Sequence, residues 1–175
     1  YDSRDELRSQ DWQEFPIAGV SWTEVQKYLA YLREVKGVRG ADLCTESQWE
    51  RAARGADDRL FPHGNGIAAG DANIDVSYGQ VQSSFGPDAV GAHPWSASPF
   101  GVHDMAGNVA EMTRPDLADP TEADGAAEDA RLVVVRGGAF FYGTVDSRSF
   151  TRWNITSGQN VPQVGFRVCA AAPTE

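Results

Sequence analysis

The side chains of this chain best suited to chemistry are aromatic rings and a carboxamide, and the chemistry they suit is recognition. Phe140, Phe141, Tyr142, Trp153 and Asn154 fall in one interval, bounded by Val134-Val135-Arg136-Gly137-Gly138-Ala139 and by Val164-Gly165-Phe166-Arg167-Val168. Both bounding runs are β-branched with tight glycines and read as core strands, while the interval between them has almost no helical period. Rigid aromatics supply contact area at small entropic cost, and short polar side chains adapt their hydrogen bonds to what they meet. Held between two core strands, such residues form a binding surface on a rigid scaffold. Part of the aromatic content fills core instead, and Phe150 and Phe166 are assigned there. Reactive alternatives are thin, because His63, His93 and His103 are scattered through loops with no HxxxE- or HxH-like spacing. They are assigned surface or core roles.

These residues need elements to position them. Ser21-Trp22-Thr23-Glu24 is a capping box that predicts a helix, in which Val25, Tyr28, Leu29 and Leu32 make one apolar stripe ending near Gly37. A second capping box, Thr45 to Gln48, opens a shorter helix with Trp49, Ala52 and Ala53 on one face. Residues 55–107 have no period of either kind and read as long loops, which usually need ligands or metals to hold them. Residues 132–135 and 165–170 read as strands. Residues 115–130 carry six carboxylates and no base, and read as a solvated, mobile insertion.

Length and composition bound the rest. A chain of 175 residues reads as one domain, 1–175, large enough to bury about two thirds of its unfolded surface. Eighteen glycines and nine prolines favour turns over regular structure. Twenty-five acidic against fifteen basic residues give −10, which argues against nucleic acid and anionic membranes as partners. No apolar run approaches the ~20 residues of a membrane span, and no membrane insertion is expected. The charged start at Tyr1 is read as that of an excised or processed piece.

Four segments carry a family resemblance: Ser21-Trp22; Thr45-Glu46-Ser47-Gln48-Trp49-Glu50-Arg51-Ala52-Ala53-Arg54-Gly55; Phe100-Gly101-Val102-His103-Asp104-Met105-Ala106-Gly107-Asn108-Val109-Ala110-Glu111; and the Arg136-Gly137-Gly138 and Gly165-Phe166-Arg167 frames. In this order they resemble the formylglycine-generating enzyme (sulfatase-modifying factor) family across nearly the whole chain. The resemblance implies an α+β domain of the formylglycine-enzyme type of C-type lectin fold, with two helices, short antiparallel strands and much irregular loop. Relatives usually begin with several strands ahead of residue 15, and those are expected to be missing here.

The same resemblance carries expectations about chemistry. Catalytic members oxidise a substrate cysteine using copper held by two thiolates between the two frames; the matching positions here are Tyr142 and Ser147. Phenol and hydroxyl do not replace the soft thiolates that select Cu(I), so no copper is expected. The loop 104–111 holds calcium in relatives, which implies a structural ion on the side chains of Asp104 and Glu111 and the carbonyls of Gly107 and Val109. A second calcium loop of the family begins with an Asn-Ile pair, matched by Asn73-Ile74. Relatives bring the segments of Cys44 and Cys169 together, so either a disulfide, with an extracytoplasmic setting, or two buried thiols is implied. Asn154-Ile155-Thr156 fits a glycosylation sequon.

Two functions follow. The first is a non-catalytic ligand- or protein-recognition module, part of a larger bacterial protein, with a protein or glycan ligand. It would resemble the variable proteins of diversity-generating retroelements or the domains fused to bacterial serine/threonine kinases. The second is a formylglycine-generating oxidoreductase with an altered active centre.

Overall fold

Helix α1 (Trp22–Glu34) starts where the capping box predicts: Ser21 Oγ accepts from the Glu24 amide, and the Glu24 carboxylate accepts from the Ser21 amide. Helix α2 (Glu46–Arg54) is opened in the same reciprocal way by Thr45 and Gln48. In this computed structural model, which describes residues 11–116 and 131–172, Val25 and Leu29 of α1 are buried while Tyr28 is half exposed, its ring against Phe166 at 5.7 Å. The acidic residues 117–130 lie outside the described residues.

The strands are β1 (Asp42–Leu43), β2 (Ala110–Met112), β3 (Leu132–Arg136), β4 (Arg152–Thr156), β5 (Val164–Phe166) and β6 (Val168–Cys169). Four of them form a sheet in the order β4-β3-β2-β5, and β1 pairs with β6. Three of the four pairings are antiparallel, but β2 and β5 run parallel, with Glu111 opposite Gly165. The strand expected over 165–170 is two strands. Arg167 leaves the ladder to meet a buried carboxylate, and the chain then changes sheets. Gly165 is required because a β-carbon there would collide with the carbonyl of Ile17.

One face of the large sheet packs Met112, Val133, Val135, Ile155 and Val164 against α1. Between β1 and β6 the sulfurs of Cys44 and Cys169 are bonded, with Cα atoms 5.0 Å apart and 125 residues between them in sequence. Closing a loop of that length is worth about 5 kcal/mol on the chain-entropy model.

The long loops between α2 and β2 are ordered by one side chain. Asn108 accepts from Asp88 N–H at 2.9 Å and Asn73 Nδ2 at 3.3 Å, and its own Nδ2 donates to the Asp88 carbonyl at 3.2 Å. Its backbone N–H donates to Asn73 O and its carbonyl accepts from Phe140 N–H. Five bonds at a residue only 2% exposed pin three segments to one point. Buried polar groups are stabilising only when satisfied in this way.

Candidate functional site

The two sequence frames meet on α2. Arg167 donates to both oxygens of Glu111, at 2.9 and 2.7 Å, and also to the His103 carbonyl at 2.9 Å. Trp49 Nε1 donates to the same carboxylate at 2.6 Å. The charge of Glu111 holds the Arg167 pKa above its ordinary value, against the opposing effect of burial and with further help from Asp104. The Arg136 guanidinium lies 5.5 Å over a face of the same indole and donates to Glu50. Arg136 thus contacts Trp49 directly and Arg167 is joined to it through Glu111, and this base carries the interval between the two frames.

At the turn leaving β3, Gly137 and Gly138 both have positive φ, and a β-carbon on Gly138 would lie 2.5 Å from Ser147 Oγ. Ser147 is fully buried beneath it and donates to the Gly143 carbonyl at 3.2 Å. Tyr142 is half-buried, and desolvation, with the charge of Asp146, raises its pKa above the ordinary phenol value. At neutral pH it is a protonated phenol. Tyr142 is thus a neutral phenol and Ser147 a buried neutral hydroxyl.

The aromatic residues form a chain of edge-to-face contacts. Phe85–Phe141 centroids are 5.3 Å apart, Phe141–Tyr142 5.8 Å and Tyr142–Trp153 5.5 Å. Phe141 is 45% exposed, whereas Tyr142 and Trp153 lean on the core cluster. Phe140 is half-buried, its amide tied to Asn108. Asn154 is not part of this group. Successive residues of a strand point to opposite faces, so Trp153 sits on the core side of the sheet. Asn154 is exposed on the other face, where it lines a cleft of about 460 Å³ with Arg114, Arg131 and Arg152. The sequence puts Trp153 and Asn154 side by side, and the pleat separates them. Phe85, absent from the sequence-based set, joins the chain from a loop whose sequence gives no sign of it.

The calcium residues come together only in part. Asp104, Val109 and Glu111 line one cavity of about 260 Å³, with Arg167 at its side. Gly107 instead donates to Gly137 O and packs against the Asn73 backbone. Asp104 has φ +59° and accepts from Gly91 N–H at 2.7 Å. Two carboxylates against one arginine leave the cavity net negative, and hard oxygen donors of this kind fit a calcium ion. With Glu111 engaged by Arg167 and Trp49, Asp104 has the greater coordinating capacity left. In the second loop, Asn73 is 1% exposed and its Oδ1 is buried with no hydrogen-bond partner. A buried carbonyl oxygen of this kind is a hard donor of the type a calcium ion takes. Among the described residues, no cluster of three or more His, Cys, Asp and Glu side chains is placed to hold a metal.

Beside Asn73 lies a buried pair that sequence reading did not find. His93 Nδ1 faces the Gly70 carbonyl and Nε2 faces Asp88 Oδ2, both at 2.8 Å, and Tyr78 O–H donates to the same oxygen at 2.6 Å. Both ring nitrogens meet oxygens, an arrangement that favours the protonated ring. Burial lowers its pKa, but the bond to Asp88, the Gly70 carbonyl and the charges of Asp88 and Asp104 outweigh it and raise the value.

Comparison with known proteins places this geometry. The family model of the sulfatase-modifying factor enzyme 1-like domain matches residues 2–172. The inactive C-alpha-formylglycine-generating enzyme 2 of Bos taurus is 29% identical over 170 residues, covering 91% of this chain and 51% of that protein. The serine/threonine-protein kinase pkn1 of Chlamydia pneumoniae is 28% identical over 165 residues, 89% of this chain and 24% of the kinase. The chain thus spans about half the length of the first relative and about a quarter of the second. Among solved structures, Treponema denticola variable protein 1 shares the fold, with a TM-score of 0.71 at 20% identity over 92% of this chain and 73% of that one.

Proposed function

The chain belongs to the family of sulfatase-modifying factor enzyme 1-like domains, and from that premise we propose that it is a non-catalytic recognition module binding a protein or glycan ligand. The observation that carries this reading is the pair at the thiolate positions: Tyr142, a protonated phenol stacked on Trp153, and Ser147, a fully buried hydroxyl. Neither binds Cu(I) as a thiolate does. A relative named as inactive and a variable protein on the same fold support a scaffold retained for binding.

The proposed contact surface is Phe140, Phe141, Tyr142 and Trp153, extended by Phe85, with Asn154 reached around the edge of the sheet. Aromatic anchors held by a rigid base lose little entropy on contact. The kinase relatives, which are much longer than this chain, support a parent protein of bacterial type in which the module is fused to a catalytic domain. The Cys44–Cys169 bond supports an oxidising, extracytoplasmic setting. We also propose structural calcium, on Asp104 and Glu111 with the carbonyls of Gly107 and Val109, and on Asn73 and Ile74. The ions would offset the charge of Asp104 and engage Asn73 Oδ1, which is buried without a hydrogen-bond partner.

The reading is tested by incubating the protein with a cysteine-containing sulfatase-motif peptide, with and without copper, under oxygen. No conversion of the cysteine to formylglycine is expected in the mass spectrum, and conversion would refute the proposal.

A further inference from the structure

We propose that the cavity of about 260 Å³ beside Tyr28 and Asp104 receives the side chain of a lysine from a partner protein, with its ammonium on Asp104. Every residue lining this cavity belongs to the described part of the chain. Its volume is below the roughly 300–1,000 Å³ of small-molecule pockets and suits one inserted side chain. Among the described residues its charges reduce to one that is available. Arg167 is held by Glu111 and the His103 carbonyl, and both oxygens of Glu111 are in use. His93, whose charge is felt at Asp104, is paired with Asp88. Asp104 remains. It is only 8% exposed, its Oδ2 accepts from Gly91 N–H, and no hydrogen bond or ion pair reaches its Oδ1. A carboxylate this buried is stabilised only by further partners. The residue is also held at φ +59°, a conformation that side chains other than glycine seldom adopt and that recurs at functional sites.

One available oxygen selects among cations. A guanidinium is best met by two parallel bonds to both oxygens of a carboxylate, and Gly91 already holds one of them. An ammonium is a compact point charge that a single oxygen can receive. The walls select the stem that carries it. Ile17, Tyr28, Val90 and Phe166 are apolar, and the rings of Tyr28 and Phe166 meet edge to face at 5.7 Å. Lysine lays its methylenes along such a surface and places its charge beyond them. The surroundings favour a protein as the source of that lysine. Ile17, Tyr28 and Val90 are exposed apolar groups at the cavity, and residues flanking the lysine would cover them, whereas a free amine would leave them in water. The net charge of −10 attracts a basic segment. Calcium on Asp104 and an inserted ammonium would exclude one another. The cavity shares no residue with the aromatic face, and its test does not depend on that face.

The probe is a short peptide with blocked ends and one central lysine between valines. It is titrated into the whole isotope-labelled protein, in chelator so that no metal ion shares Asp104, and followed by NMR. The Gly91 amide, which donates to Asp104, is expected to shift. Replacing the lysine by norleucine keeps the stem and removes the charge, and should weaken binding more than about tenfold. Replacing it by arginine should weaken binding at least about threefold. Asp104→Asn should also weaken binding more than about tenfold. Its carboxamide oxygen can still accept from Gly91 N–H, and asparagine tolerates positive φ, so the fold is expected to hold. If that variant does not fold, the peptides decide alone. The proposal is overturned if the lysine peptide does not bind, or if the norleucine or arginine peptide binds as tightly. It is also overturned if n-butylammonium binds as tightly as the lysine peptide, since a protein partner would then add nothing. Shifts confined to residues 140–154 would overturn it too, and would leave the aromatic face standing.

Discussion

The buried frame and the aromatic face are built in opposite ways. The frame is polar: Glu111, Arg167 and Trp49 form one satisfied node, and Asn108 forms another. Each member is indispensable because removing it strands a partner in a dry environment. The face from Phe85 through Phe141 to Trp153 is held by ring contacts, which are individually weak and separable. A polar frame of this kind can hold the fold independently of the ring face, so that substitutions on the face need not disturb it.

That contrast can be broken by measurement. Glu111→Ala leaves the partly buried Arg167 without its carboxylate and the buried Trp49 Nε1 without an acceptor, and is expected to cost about 3 kcal/mol, read by urea unfolding in chelator so that no cation contributes. A loss below about 1 kcal/mol would mean the node is not what holds the frame. Converting both Cys44 and Cys169 to serine should cost about 4–5 kcal/mol on the chain-entropy model. The check is denaturation of the double variant against the oxidised parent, with unchanged stability as the adverse result.

On the face, the expected effect moves from folding to binding. Once a partner is known, Tyr142→Ala and Phe141→Ala should each cost about 2 kcal/mol of affinity, in keeping with aromatic anchors. Phe141, 45% exposed, should do so with little change in melting temperature. Trp153 packs on the core cluster, and its truncation should lower stability as well. If Phe141→Ala destabilises the fold as much as Glu111→Ala does, the division between frame and face is wrong.

Calcium sharpens the same comparison, because the proposed ligands all belong to the frame. A chelator should lower the melting temperature, with the loss scaling as the logarithm of free calcium over its dissociation constant. Elemental analysis showing no calcium, together with an unmoved melting temperature, would remove the ion.

The smallest effect expected is one of pH. His93 has a folded pKa raised above 6.5, so its contribution is fully present below about pH 6.5 and is lost as pH rises through the folded value. Stability should therefore decline through that window in the parent and stay flatter in His93→Gln. Parallel profiles would show that the imidazolium contributes nothing.

The local chemistry of the chain was readable without coordinates. Ser21 with Glu24 and Thr45 with Gln48 each satisfy helix-end amides within one turn, so both helix starts could be derived from spacing alone. The strand β3 and the glycine turn after it were legible as well, whereas Phe150, assigned to the core, is 41% exposed. What lay beyond sequence was every relation that joins distant positions. Glu111 finds Arg167 across 56 residues and Trp49 across 62, and Asn108 gathers loops that no period marks. The strand β4 was hidden because its residues alternate around a sheet whose register only β3 supplies. That register sent Trp153 and Asn154 to opposite faces. Short-range hydrogen bonds can be read from composition and spacing; the pairing of distant strands and the burial of charges depend on which surfaces the whole fold brings together.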